Sequence, residues 1–491
     1  MSTIEEANRI LLDRLGNTQV STDCDDRYQA SMDNLRYSRL PSARIRPTDE
    51  DAVRQVLELA NSHRVPVTAR GAGSATTGAS TPLEGGWVLD FAGWKAVHID
   101  PVARMAFVQP GVTLSELDAA AASHGLSYPV DPGSRTYATV GGSIATNAGG
   151  MRGAKYGVTR DYVLSLEGFL PDGAFVRWGA NLKKFSAGYN IRDLWVGAEG
   201  TLGIITGAVL RLIPRPEVQS TCLAVFPTSR EALLCSRQIL LSGASPSALE
   251  FLDSLTVGST FAFWERKDPE TLRKVPDCLR KWNGKSPPPA VLLIEFDGDQ
   301  NSVDQALKRL LRIVSRHSAD WATAIDLRTA DLLWKVRKAC SQAMFELGPR
   351  KLNEDVVLPF DSQEALLHYL QEVQQETGLP TPTFGHAADG NFHTHIMYDD
   401  ADPLMCEAAR KAVALLMRKV IELGGAISGE HGIGLAKSPF FALQHSEAEI
   451  GVMKAVKKAL DPHNILNPGK FWEPSEPWHF PRETVSLPWD H

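Results

Sequence analysis

The 491-residue chain has no apolar run approaching the roughly 18 residues that a membrane-spanning helix needs, so no transmembrane segment is expected. It also lacks closely spaced cysteines. Cys24, Cys222, Cys235, Cys278, Cys340 and Cys406 are scattered, which excludes a resident iron–sulfur cluster or a cysteine zinc site and leaves a reduced thiol set. A surplus of positive charge is missing too: 51 Lys and Arg face 58 Asp and Glu, giving a net charge of -7. Without a basic cluster no nucleic-acid partner is expected. The acidic, helically patterned start from Met1 to Gly16 lacks the basic-then-apolar order of a secretion signal. A cytoplasmic protein is expected, one that meets a membrane only through a partner.

What is present is ordinary globular usage, 43% hydrophobic and 22% charged, in a chain longer than the ~250–300 residues one core serves. At least two domains follow. Pro47-Thr48-Asp49-Glu50-Asp51 opens a helix, with Thr48 and Asp51 as its capping pair and Val53, Val56, Leu57 and Ala60 at helical spacing. Short strands are expected at Val65–Thr68, Trp87–Phe91, Ala96–Ile99 and Met105–Gln109, then a helix begun by Thr113 with Glu116 as capping partner. Leu202 to Pro214 reads as two strand segments closed by Pro-Arg-Pro. Beyond it, helical stretches (Ser229–Leu241, Val303–His317) alternate with strands such as Ala290–Phe296. A last amphipathic helix, Ser446–Leu460, stops at Asp461-Pro462, and the proline-bearing tail beyond Trp472 should pack along the surface.

Two segments are rich in glycine and small residues. Arg70-Gly71-Ala72-Gly73-Ser74-Ala75-Thr76-Thr77-Gly78 follows a strand, where its amides and hydroxyls can approach a diphosphate. Ala79-Ser80-Thr81-Pro82 comes next and cannot open the helix of a Rossmann fingerprint. The second segment, Thr139 to Gly150, holds four glycines and makes poor regular structure but a good wall for a flat, backbone-contacted ligand. Two cradles imply one extended cofactor.

These segments, with Pro132-Gly133, Lys155-Tyr156-Gly157, Leu170-Pro171-Asp172-Gly173 and Gly197 to Thr206, resemble the FAD-binding domain of the vanillyl-alcohol-oxidase superfamily over roughly Leu40 to Pro216. The resemblance implies an α+β fold in which a two-subdomain FAD-binding domain carries an α+β substrate cap and a C-terminal helical return. On it the chain divides into a helical lead (1–39), FAD domain (40–217), cap (218–435), returning segment (436–473) and tail (474–491). The diphosphate would lie on Arg70, Gly71, Ala72, Gly73, Ser74 and Ala75. The ring would lie near Pro132, Gly133, Thr139, Gly142, Ser143, Ala145, Thr146, Asn147, Gly149 and Gly150, with Glu199, Gly200, Ile204 and Ile205 completing the site. Neither loop contains the histidine or cysteine by which some members attach the flavin, so non-covalent FAD is expected.

In the last third, Gly385-His386-Ala387-Ala388-Asp389-Gly390-Asn391-Phe392-His393 sets two histidines about a turn-forming Asp-Gly-Asn, and Ser428-Gly429-Glu430-His431-Gly432 sets a carboxylate beside an imidazole. Each alone reads more often as a structural turn. Together they supply what oxidation of a 2-hydroxy acid needs: His386, His393 and Glu430 as ligands of a divalent metal, and His431 as base for the hydroxyl proton. Both segments are similar to those of the subfamily holding D-lactate dehydrogenase, the glycolate oxidase flavin subunit and D-2-hydroxyglutarate dehydrogenase. The resemblance implies zinc or a related ion on those three residues; manganese, iron and cobalt suit the same donors. Ala388 departs from the subfamily's usual glycine. The resemblance also implies that Arg337 holds the substrate carboxylate and that Asn467 approaches the flavin; Ser341, one turn after Arg337, is placed to add a hydrogen bond.

Asn353 stands where the hydroxyglutarate enzymes tend to carry lysine, with Lys351 displaced nearby, which favours D-lactate or glycolate over the dicarboxylate. The expected partners are that small acid and an electron acceptor: a quinone, a cytochrome, an electron-transfer flavoprotein or an iron–sulfur subunit. The sequence leaves the oligomeric state open. The rival from another class is non-redox group transfer on FAD, as in alkylglycerone-phosphate synthase.

Overall fold

The computed structural model describes residues 3–318, 320–324 and 326–475, so most of the tail expected on the surface lies outside the described residues. The chain forms two compact units. Of the described residues, the first gathers 3–149, 158–215 and 430–475; the second gathers 150–157 and those within 216–429.

In the first unit β1 (Val20–Ser21), β2 (Ala43–Ile45), β3 (Val67–Arg70) and β4 (Trp87–Asp90) form a sheet in the order β1-β2-β4-β3, with β2 and β3 parallel to β4. The helix Glu50–His63 covers it. Val53, Val56, Leu57 and Ala60 recur on its buried stripe and pack with Trp87, Leu89, Ile465 and Leu466. Its cap is Asp49, whose side chain accepts from the Ala52 amide at 2.9 Å, and not the expected Thr48/Asp51 pair. Thr48 instead donates its hydroxyl to Asp49, while Asp51, in the helix's first turn, binds Arg54.

The first unit's other sheet is antiparallel: β5 (Val97–Asp100), β6 (Met105–Val108), β8 (Val163–Phe169), β9 (Phe175–Gly179) and β10 (Ile204–Arg211) run in the order β5-β6-β10-β8-β9. β7 (Leu126–Ser127) and β11 (Ile213–Pro214) form a short pair. The helix Leu114–Ala122 carries the expected capping box of Thr113 and Glu116, and Ser446 with Glu449 makes another for Glu447–Leu460. After that helix the chain returns to the first sheet, where Leu466 bridges Val67.

The second unit is built on seven antiparallel strands: β12 (Val218–Phe226), β13 (Ala248–Leu252), β14 (Ala290–Gly298), β15 (Asp320–Thr323), β16 (Arg350–Val357), β17 (Thr383–His386) and β18 (Asn391–Tyr398), in the order β15-β12-β14-β13-β17-β18-β16. Leu223, Val225, Leu252, Val291 and Leu293 alternate onto one face and pack with Val257, Phe261 and Leu333 from the helices Ser254–Lys267 and Leu327–Lys338. Directly opposed residues of antiparallel strands share a face, so the register also sets Glu250, Phe384, His386, His393, His395, Asp355 and Asn353 on this side. The stretch 150–157 is held here by Arg152 on Glu295 and by Lys155 and Tyr156 on Asp297.

Candidate functional site

In the first unit the two glycine-rich segments meet. A Cβ on Gly71 would lie 2.1 Å from Thr139 Oγ1, so only glycine lets the first loop touch the second. Gly73 and Gly78 adopt φ of 69° and 83°, the left-handed turns the first loop needs. The second segment is more regular than its composition suggests. Val140–Thr146 is a short helix capped by the Thr139 side chain, with Val140 and Ile144 buried and Asn147 ending it at φ 51°. Gly141 suits this helix because a Cβ there would press on Pro110 at 2.6 Å. Gly142 donates its amide to Thr139 Oγ1, and Ala145 accepts the Glu199 amide at 2.7 Å.

The residues expected to hold the diphosphate divide into two kinds. Arg70 is buried and its guanidinium donates to the carbonyls of Met32 (2.7 Å) and Gln29 (3.3 Å), beneath Gly73. It shapes the loop from below. By contrast the hydroxyls of Thr76, Ser80 and Ser143 are buried with no hydrogen-bond partner among the described residues. Donors left this way on two touching glycine-rich loops fit a polar ligand that the chain alone does not supply, and FAD answers to that. Pro132, Gly133, Ala72, Ser74, Ala75 and Thr146 lie on the same loops; Gly149 ends the first unit's segment and Gly150 opens the stretch assigned to the second.

Glu430 and His431 fold back onto these loops. A Cβ on Gly149 would meet Glu430 Oε2 at 2.9 Å, Thr77 donates its hydroxyl to the His431 carbonyl at 3.1 Å, and the amides of Leu435 and Ala436 donate to the Thr77 carbonyl. Asn467, at φ 41°, is fully used in binding segments together: its amide donates to the carbonyls of Ala79 and Glu199 and its oxygen accepts from Thr68. Glu199 accepts the amides of Ile433 (2.7 Å) and Gly434 (2.9 Å), with Gly200 and the buried Ile204 and half-buried Ile205 following. Burial pushes the Glu199 carboxyl up to about 7 and Asp33 up to about 6, and drives the Lys470 ammonium down to about 8.

The second unit brings together His386, His393 and Arg337. The hairpin β17–β18 turns through Asp389 and Gly390, where φ is 83°, and sets the two imidazoles edge to face, 5.2 Å apart at 86°. A ring nitrogen of one lies within 4.8 Å of a ring nitrogen of the other. Arg337 does not stand in solvent. It is buried, lies over the Phe384 ring at 4.5 Å, and gives Nε and Nη2 to one oxygen of Glu250, whose other oxygen contacts His386 Nδ1 at 2.6 Å. Burial alone raises the Glu250 pKa, but the Arg337 charge and His386 bring it below the ordinary glutamate value. Phe384 stacks on His395 at 5.0 Å, and Asp355 accepts the amide of Gly429, the residue before Glu430, at 2.7 Å. Ser341 is taken by Lys351, whose ammonium donates to its hydroxyl at 2.6 Å and its carbonyl at 2.7 Å.

The sequence assigns no role to Glu250, Asp355 or His395, although Asp355 falls in the stretch Asn353–Pro359 that resembles a family segment lining the active site. Glu250 sits alone in an apolar strand, a signal that a buried charge must have a partner but not which one. His395 was visible as a third histidine at alternate spacing from His393, hence on the same face of a strand.

Residues 41–179 match the family model described as FAD binding domain, and residues 215–471 match FAD linked oxidases, C-terminal domain. The glycolate oxidase subunit GlcD of Bacillus subtilis is 37% identical over 439 residues, covering 89% of this chain and 90% of that protein. The D-lactate dehydrogenase of Archaeoglobus fulgidus is 36% identical over 431 residues, covering 87% and 90%. Among solved structures, p-cresol methylhydroxylase with substrate bound shares the fold at a TM-score of 0.78 and 18% identity, covering 96% of this chain and 97% of that one. Two touching glycine-rich loops with orphaned buried hydroxyls, and family models that together account for most of the sequence, lead to one assignment: the chain belongs to the FAD-linked oxidases of the vanillyl-alcohol-oxidase superfamily and is an FAD-dependent oxidoreductase.

Proposed function

We propose that the chain oxidises a small 2-hydroxy acid, D-lactate or glycolate, to its 2-oxo acid. The observation that carries the reading is the buried run Arg337–Glu250–His386 beside His393: a cation suited to a carboxylate, joined through Glu250 by hydrogen bonds to one imidazole that meets a second edge to face. The two named relatives act, by their names, on such acids.

Arg337 would bind the substrate carboxylate through its remaining N–H groups, since Glu250 takes only Nε and Nη2. His386 and His393 would hold a divalent cation, with Glu430 as the third ligand; Glu430 directly follows Gly429, which Asp355 anchors to β16 opposite His393. Zinc suits such a donor set. When bound, the cation lowers the pKa of a ligated hydroxyl, and FAD accepts the hydride at N5. His431 would take the hydroxyl proton. Ser143, Thr76 and Ser80 would donate to the cofactor.

A second reading, a dicarboxylate such as D-2-hydroxyglutarate, is favoured by Lys351, which reaches Ser341 one turn along from Arg337 and so offers a second cation. The test is anaerobic bleaching of the bound flavin by D-lactate, L-lactate, glycolate and D-2-hydroxyglutarate, with and without a chelator. Rapid, chelator-sensitive bleaching by D-lactate or glycolate is expected. Faster bleaching by D-2-hydroxyglutarate moves the assignment to the dicarboxylate, and no bleaching by any of the four rejects 2-hydroxy acid oxidation.

A further inference from the structure

We propose that Glu250 is a positioning residue that fixes the tautomer of His386 and ties it to the orientation of Arg337. The inference rests on the reading of His386 as a metal ligand. Glu250 is fully buried on β13, directly opposite His386 on β17. Its Oε2 receives Arg337, a side chain that can only donate, and its Oε1 lies 2.6 Å from His386 Nδ1. An ionised carboxylate only accepts, so the proton of the neutral ring sits on Nδ1. Nε2 is then the nitrogen with a lone pair to offer a cation.

This makes the charge on Glu250 matter in a way that its volume does not. A glutamine has one accepting oxygen. In Glu250→Gln that oxygen goes to Arg337, which has nothing but donors, and the amide NH2 is left facing Nδ1. The imidazole must then accept at Nδ1, its proton moves to Nε2, and that nitrogen is closed to a metal. Removing the arginine as well frees the amide to rotate and turn its oxygen to Nδ1. The single variant should therefore bind metal poorly and the double variant Glu250→Gln/Arg337→Met should recover. A residue that merely fills space predicts no such recovery, and a residue that merely neutralises Arg337 predicts no fixed tautomer, which the nitrogen-15 spectrum of His386 reads directly.

The experiment titrates the FAD-loaded protein with Co2+ against a competing chelator, reading the visible absorption of the bound ion. Wild type should bind, His386→Ala should not, Glu250→Gln should weaken binding about 10- to 100-fold, and the double variant should bind more tightly than Glu250→Gln. Wild-type affinity in Glu250→Gln, or a double variant no tighter than the single one, overturns the proposal while leaving His386 a ligand. Equal Co2+ binding by wild type and His386→Ala removes the metal reading itself and the proposal with it. Should Glu250→Gln fail to fold, the imidazole nitrogen-15 spectrum of the zinc-loaded wild type decides. The resonances lost in His386→Ala should report a protonated Nδ1 and a metal-bound Nε2; metal on Nδ1 overturns the proposal.

Discussion

Glu199 offers the sharpest test of the electrostatics of the cofactor-binding unit. It is 4% exposed, accepts two backbone amides, and has its carboxyl pushed by burial from 4.5 to about 7, with the Ile433 amide and Lys470 acting against that rise. Between those two pH values the folded chain keeps a proton that the unfolded chain has released. Stability therefore falls as pH rises through that window and levels off above it. At ~1.4 kcal/mol per pH unit, the fall from 4.5 to about 7 is worth about 3 kcal/mol. Glu199→Gln keeps an accepting oxygen for the two amides but does not titrate. Urea unfolding of the flavin-stripped protein, followed by tryptophan fluorescence at intervals from pH 4.5 to 7.5, gives the difference curve. The other titrating groups are common to both proteins. Wild type should lose about 3 kcal/mol relative to the variant across the window and nothing more beyond it. Parallel curves would refute the argument, because they would mean that the folded carboxyl releases its proton no later than the unfolded one, and a fall that continued past pH 7 would put its pKa above the stated value.

Replacing His386 or His393 with alanine should strip a bound divalent metal and sharply slow flavin reduction while leaving the visible flavin spectrum intact; normal reduction in the metal-free variants would sink the site. Arg337→Met leaves the Glu250 carboxylate buried without its cation, which should cost about 3–5 kcal/mol of stability and raise the KM for the 2-hydroxy acid. An unchanged denaturation midpoint would contradict that ion pair. Gly71→Ala forces a Cβ against Thr139 Oγ1, so FAD affinity should drop, and Gly71→Ala/Thr139→Ala should restore part of it at the cost of about 1 kcal/mol for the lost helix cap. If the double variant binds FAD no better than Gly71→Ala alone, the close approach of the loops is not what the glycine serves.

The cofactor half of the protein was legible because its demands are local. Glycines at consecutive turns, a strand before them and a proline soon after exclude a Rossmann helix and call for a loop cradle, and the capping boxes at Thr113 and Ser446 are written in four-residue windows. Local reading failed where two neighbours compete for one task. Thr48 and Asp49 both precede the first long helix, and the aspartate wins because it accepts the amide while the threonine hydroxyl can donate to it. It failed again at Thr139–Gly150, where glycine content argues against a helix but burial of Val140 and Ile144, and the close packing on Pro110 that only Gly141 permits, stabilise a short one. In the second unit the histidines could be named from spacing, but His386 also has a carboxylate partner 136 residues away. Glu250 carries no motif, and its place beside His386 comes from strand register. A one-residue slip of β13 against β17 would turn its carboxylate to the other face of the sheet and leave both Arg337 and His386 without it. The apolar alternation that sets Leu252, Val291 and Leu293 into the core therefore also holds the polar run in place. Selection on core packing and selection on the site act on the same register.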